Sequence, residues 1–331
     1  QALVDARAVG LANDDKPLHS AGLGATAYGD AIATYLGFML DRATDRNCSI
    51  CTWDSGPTGT KSSTGGSART ASVRNVFARQ ALPMTWDFAE SNIFSNSGGG
   101  ILSALDWIEP VVQRPAIEIR HGHIYNINAS TNSFPVRPVA ISTDPPYYDN
   151  IGYADLSDFF YIWLRRLLSP IWPELFRRLT TPKEGELVAT PYRHGGKTEA
   201  EAFFMQGMGE ALTAMRKAAT DGEPLTIYYA FKQSEIGVDG VTSAGWASFL
   251  QAVVEAGLAV DGTWPVRTEL SNRLIGKGAN ALASSVVLVC RKRAPDATVI
   301  TRAEFIRGLK QEMPEAIDDI RKAGVGPVDM Q

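Results

Sequence analysis

The stretch that most constrains this chain is Asp144-Pro-Pro-Tyr147, set at the end of an apolar run from Pro138 to Ser142. Val139 to Ser142 reads as a strand. Asp-Pro-Pro ends it at once: neither proline has an N–H for the ladder, and each ring fixes φ at about −65°. Asp144 and Tyr147 are thereby held in a stiff loop at a strand's carboxyl end, the edge where open α/β sheets bind ligands. The plainer reading is a proline-stiffened turn in which Asp144 caps a turn or helix.

The rest of the chain sets that loop among alternating strands and helices. Residues 1–23 read as a loose lead-in. Ala31, Ile32, Tyr35, Leu36, Met39 and Leu40 recur at helical spacing and predict a core-facing helix from Ala25 to Arg46. Residues 54–69 are Gly/Ser/Thr-rich and predict a flexible surface loop. Helices are expected over Ala71–Ala81, Ile101–Val112, Leu156–Leu168, Glu199–Ala219 and Ala244–Ala256. Phe159, Phe160, Trp163 and Leu167 form the apolar side of the third of these, and Tyr153, Phe159, Phe160 and Trp163 are expected in the core, with base stacking as the alternative. Strands are expected over 116–120, 139–142, 225–231, 258–268 and 284–292, the last two as an antiparallel hairpin. Residues 302–323 read as a helical pair broken at Pro314. Helices between strands predict an α/β sheet. The organisation expected is a helical and loop-rich segment over 1–100, a sheet-containing catalytic region over 101–293, and a helical extension over 294–331.

Composition narrows the partners. The net charge of −4 excludes a surface coated in basic residues. A nucleic-acid contact would then depend on local patches, because phosphate neutralisation dominates such affinity. No stretch is apolar enough for a membrane span. Cys48 and Cys51 form one Cys-x-x-Cys pair and Cys290 falls in a strand. With only His121 and His123 as distant extra ligands, this predicts reduced thiols in a cytoplasmic protein and no metal site. The chain begins at Gln1 instead of Met, and with its abrupt end at Gln331 it reads as part of a longer protein.

Asp144-Pro-Pro-Tyr147 resembles motif IV of the amino-methyltransferases, which methylate the exocyclic amine of adenine or cytosine from S-adenosylmethionine. Asp in first place is similar to the adenine-N6 type. The wider chain looks like the large, mostly uncharacterised bacterial and archaeal group of adenine-specific DNA methylases. The segments that carry the resemblance are 33–37, 75–90, 143–150, 153–160, 181–184 and 281–292, spread over about residues 25–293. The resemblance implies a Rossmann-like sheet, mostly parallel, whose last strand inserts antiparallel. It also implies DNA and S-adenosylmethionine as partners. The amine of adenine is a poor nucleophile because its lone pair is delocalised into the ring. Two acceptors on its N–H groups pull the nitrogen toward a tetrahedral form, and the rest is positioning. The resemblance assigns these acceptors to the Asp144 carboxylate and the Pro145 carbonyl. Pro146 stiffens the loop, and Tyr147 stacks on a base flipped out of the duplex.

Two departures stand beside the likeness. No strand followed by a glycine-rich turn for the methionine end of the cofactor is visible, and the five predicted strands match the third to seventh of the family's sheet. The first two strands are expected upstream, which leaves the cofactor site incomplete. His123 stands where the family has an acidic residue for the cofactor's adenine; a loop histidine is the alternative. Trp86, Asp87 and Asn92 are expected to cover the cofactor's methionine end, with Trp86 as a loop anchor equally open. Tyr148, Arg273 and Lys277 are candidate DNA contacts, as are Lys183, Arg193, His194 and Lys197 in the excursion 180–198. The alternatives are cytosine-N4 or RNA adenine methylation, or a non-catalytic nucleic-acid-binding module in a defence or restriction complex with other subunits.

Overall fold

The computed structural model describes residues 1–12, 14–55, 71–78, 80–82, 84–114, 122–131, 134–149, 151–230, 244–267 and 284–322. Three expectations lie largely or wholly outside these residues: the loop 54–69, the strand 116–120 and the hairpin tip with Arg273 and Lys277. Two units divide the chain, each discontinuous. Gln1–Gly122 with Tyr153–Lys183 form the first, and His123–Gly152 with Glu184–Gln331 the second.

The first unit is helical. Helix α1 (Ala2–Ala8) and a short 3-10 turn at Leu18–Ser20 occupy part of the expected lead-in. Helix α2 runs from Ala25 to Thr44. Two-residue strands β1 (Trp53–Asp54) and β2 (Ser72–Val73) pair antiparallel, and α3 spans Ile101–Val112. Helices α4 (Tyr153–Leu168) and α5 (Pro173–Phe176) complete it. Gly37 lets α2 approach α4: a Cβ there would stand 3.2 Å from Leu168 and 3.5 Å from Leu164. That contact selects the buried face of α4. Leu168 is buried, whereas Tyr153, Trp163 and Leu167 are exposed, so the core expected from Tyr153 and Trp163 is not observed. Phe159 and Phe160 instead clasp Phe77 at 5.8 and 5.4 Å. On α2, likewise, Tyr35 and Leu36 are exposed and Gly37 is buried.

The helix expected over 71–81 is replaced by β2 and a 3-10 turn at Val76–Ala78. Its backbone groups find partners elsewhere: Arg74 N–H donates to Thr52 O and Val76 N–H to Asp45 O. An Arg74–Asp54 ion pair of 3.2 Å adds to this. Long-range hydrogen bonds override a weak helical propensity here.

The second unit carries a four-stranded sheet. Strand β3 is Ile141–Thr143, and helices α6 (Pro191–His194) and α7 (Lys197–Ala218) follow in chain order. Next come β4 (Leu225–Tyr229), α8 (Ala244–Glu255), β5 (Leu258–Arg267), β6 (Ser284–Lys292) and α9 (Arg302–Lys322). The strand order is β3-β4-β6-β5. Strand β3 is parallel to β4, with Ile141 opposite Leu225 and Thr143 opposite Ile227. Strand β6 is antiparallel to both β4 and β5, and a bulge between Val260 and Gly262 interrupts the hairpin. The unit is therefore mixed α/β, with parallel and antiparallel pairing in one sheet.

The core lies on one face of that sheet. Leu225, Ile227 and Tyr229 alternate inward along β4 and meet Phe204, Met208 and Leu212 of α7 and Phe249 and Val253 of α8. Each such side chain contributes about 1.5–3 kcal/mol on burial. Helix α9 continues through Pro314. A proline removes one helical hydrogen bond, and the good helix formers on both sides, Gln311-Glu312-Met313 and Glu315-Ala316, continue the spiral. No helix among the described residues is long and apolar enough to cross a membrane.

Candidate active site at the carboxyl end of the parallel strands

Thr143 closes β3 opposite Ile227, so the chain leaves the sheet at Asp144 abreast of Tyr228. The two prolines carry it three residues on to Tyr147, which turns back. The Tyr147 hydroxyl donates to Asp144 Oδ1 at 2.6 Å. Asp144 is exposed and Pro145, Pro146 and Tyr147 are half-buried. The loop thus presents a carboxylate to solvent from a stiff backbone.

An aromatic stack braces it from below. The Tyr147 ring meets Tyr229 edge-on, with centroids 5.3 Å apart. Tyr229 lies flat on Phe249 at 4.1 Å and 17°, and Trp246 adds a tilted contact at 5.5 Å. Offset and edge-on pairs of this kind are each worth about 0.5–1.5 kcal/mol beyond their buried area. Sequence reading missed Tyr229, Trp246 and Phe249 as parts of the site. The signal was present in the inward alternation of β4 and in the i, i+3 spacing of Trp246 and Phe249.

Tyr148 turns the other way. Its φ of +33° is left-handed, a region that non-glycine residues seldom enter. Its carbonyl accepts from Ala189 N–H at 2.9 Å, and its ring packs edge-on against Phe204 at 5.2 Å. The ring expected to contact DNA therefore packs against the core.

The other expected residues fall as follows. His123 is in the second unit, exposed, with its ring stacked near Tyr125 at 6.2 Å. Trp86, Asp87 and Asn92 belong to the first unit and are exposed. Trp86 is 89 % exposed, so it anchors no core. Asn92 Oδ1 accepts from Phe94 N–H at 3.0 Å. Lys183 and Arg193 are committed to ion pairs within the chain, with Asp158 at 2.7 Å and Glu186 at 2.6 Å. Burial pushes the Asp158 carboxyl up, but hydrogen bonds from Lys183 and Thr181 outweigh it and hold it below its ordinary value. His194 stacks on Phe203 at 4.0 Å.

Among the described residues no strand runs into a glycine-rich turn, and no group of three or more His, Cys, Asp or Glu side chains could hold a metal. What the described residues assemble is a carboxylate, a proline carbonyl and an aromatic ring on one short loop. No family model matches the chain, and no curated protein and no solved structure matches it significantly.

Proposed function

We propose that this chain carries the base-binding half of an S-adenosylmethionine-dependent methyltransferase acting on the exocyclic amine of adenine in DNA, in the cytoplasm. The observation that carries the reading is the convergence of Asp144 and Tyr147 where parallel strands β3 and β4 end. The strand order adds support, because β6 enters antiparallel between β4 and β5, as in the Rossmann-like methyltransferase sheet.

The chemistry on the base side needs only these residues. The Asp144 carboxylate accepts one amine hydrogen and the Pro145 carbonyl the other, which turns the nitrogen lone pair out of the ring plane. The Tyr147 ring offers a face to the extruded base. Pro145 and Pro146 limit the loop's freedom, so little ordering is left for the moment of reaction.

The test is transfer of a labelled methyl group from S-adenosylmethionine to DNA, followed by nucleoside analysis. The full-length protein that contains this chain should yield N6-methyldeoxyadenosine, and its Asp144→Ala variant should yield none while still binding DNA. Equal transfer by the variant overturns the reading. DNA binding without transfer by the wild type would leave a non-catalytic binding module, and product on cytosine or RNA would redirect the substrate.

A further inference from the structure

The contact that ties the motif together is also one that a bound base has to contend with. The Tyr147 hydroxyl donates to Asp144 Oδ1 over 2.6 Å, within the range of a charge-assisted O–H···O⁻ bond. On the reading above, the amine of adenine donates to that same carboxylate. Neither partner of the bond is loosely held. Two prolines separate Asp144 from Tyr147, and the Tyr147 ring is braced on Tyr229, which stacks on Phe249. The hydroxyl is therefore delivered to the carboxylate by the core and the loop together. Ring and hydroxyl then have opposed effects: the ring offers a stacking face, and the hydroxyl takes up one acceptor position of the carboxylate that the base's amine also uses.

We propose that the Tyr147 hydroxyl is a built-in competitor for the amine site: it bonds Asp144 Oδ1 in the empty protein, and the exocyclic amine of the substrate base competes with it for that carboxylate. The inference rests on the assignment of Asp144 to that amine. It makes Tyr147 a specificity-determining residue. A purine that lacks the amine leaves the Tyr147–Asp144 bond in place and gains only stacking. A purine that has it exchanges one hydrogen bond on Asp144 for another. Removal of the hydroxyl frees the carboxylate and should strengthen only amine-bearing bases. Its net worth is that of one hydrogen bond, about a fivefold change in affinity.

The experiment uses the full chain and two probes, 2′-deoxyadenosine and its analogue without the 6-amine, each titrated calorimetrically into wild type, Tyr147→Phe and Asp144→Ala. Near-ultraviolet circular dichroism reports whether each variant keeps its packing. Tyr147→Phe should tighten 2′-deoxyadenosine about fivefold and leave the analogue unchanged. Asp144→Ala should bring the two probes to equal affinity. If Asp144→Ala collapses the preference but Tyr147→Phe leaves it unchanged, lowers it or tightens both probes alike, the competitor role is rejected and the amine site stands. If Asp144→Ala keeps the wild-type ratio, or none of the three proteins binds either probe, the amine-site reading fails and the competitor role falls with it.

Discussion

Gly245, near the start of α8, leaves the space that the Tyr148 ring fills: a Cβ there would stand 2.9 Å from the ring. Tyr148 is otherwise fixed by Phe204, by the bond from Ala189 and by its own left-handed backbone. It has nowhere to retreat. Gly245→Ala should therefore cost about 1–3 kcal/mol, as overpacking does. Adding Tyr148→Ala to it should cost less than the two single changes combined. Urea midpoints of the four proteins give the coupling, and strict additivity would exclude the clash.

The Arg193–Glu186 ion pair is well shielded from water, with side chains only 10 and 14 % exposed. Removal of one partner takes a charge-assisted bond of 2.6 Å from a carboxylate or guanidinium that is largely shielded from water. Arg193→Ala should destabilise the second unit by about 3–5 kcal/mol, whereas Arg193→Met with Glu186→Leu should be close to neutral. Guanidinium unfolding of both variants decides it. A smaller loss for the single variant than for the pair would show that the ion pair is not desolvated.

Asp41 of α2 has a carboxylate oxygen, Oδ1, buried without a hydrogen-bond partner among the described residues. Burial pushes its carboxyl up from 3.8 to about 7. The unfolded chain loses this proton near 4 and the folded chain near 7, so the contribution is fully present below about 4 and is lost as pH rises to about 7. Asp41→Asn should flatten this slope. Above pH 7 it should raise stability on the order of 2 kcal/mol, after a discount for the partial exposure of the group. Thermal melts from pH 4 to 8 check the sign; a wild type that gains stability from Asp41 as pH rises refutes it.

Burial pushes the Cys51 and Cys290 thiols up to about 11. Cys48 is only half-buried, 3.3 Å from the Cys51 sulfur. Thiolate is the reactive form. Iodoacetamide at pH 8 should label Cys48 well before the other two, as peptide mass analysis will show. Cys290 labelled as fast as Cys48 would contradict the buried position in β6.

Local signals read well and remote ones did not. Helix α3 and strand β6 end where periodicity placed them, because each is bounded by local residues: Gly100 before the helix, Arg293 and Pro295 after the strand. Asp144-Pro-Pro-Tyr147 was legible because prolines act on their own backbone. The stretch 71–81 was misread because its N–H groups bond Thr52 and Asp45, far away in sequence. The apolar side of α4 was misread because a glycine on another helix, Gly37, decides which stripe is covered. Within the site, the bond between Tyr147 and Asp144 spans three residues, yet the brace behind it comes from Tyr229 and Phe249. The local patterns of β4 and α8 mark Tyr229 and Phe249 as inward-facing, but not that they meet Tyr147.

The pairings that build the sheet also differ in how much chain each must gather. Strands β5 and β6 meet between residues 258 and 292, whereas β3 meets β4 only by bringing residue 141 to residue 225. Closing the longer loop costs more entropy, and only three ladder pairs and the bridge from Val139 to Ala219 reward it. The hairpin can form while the chain is still largely open. On loop-closure grounds the strand that carries Asp144 is expected to dock after the hairpin, which would make the alignment of the site a late event in the maturation of the fold.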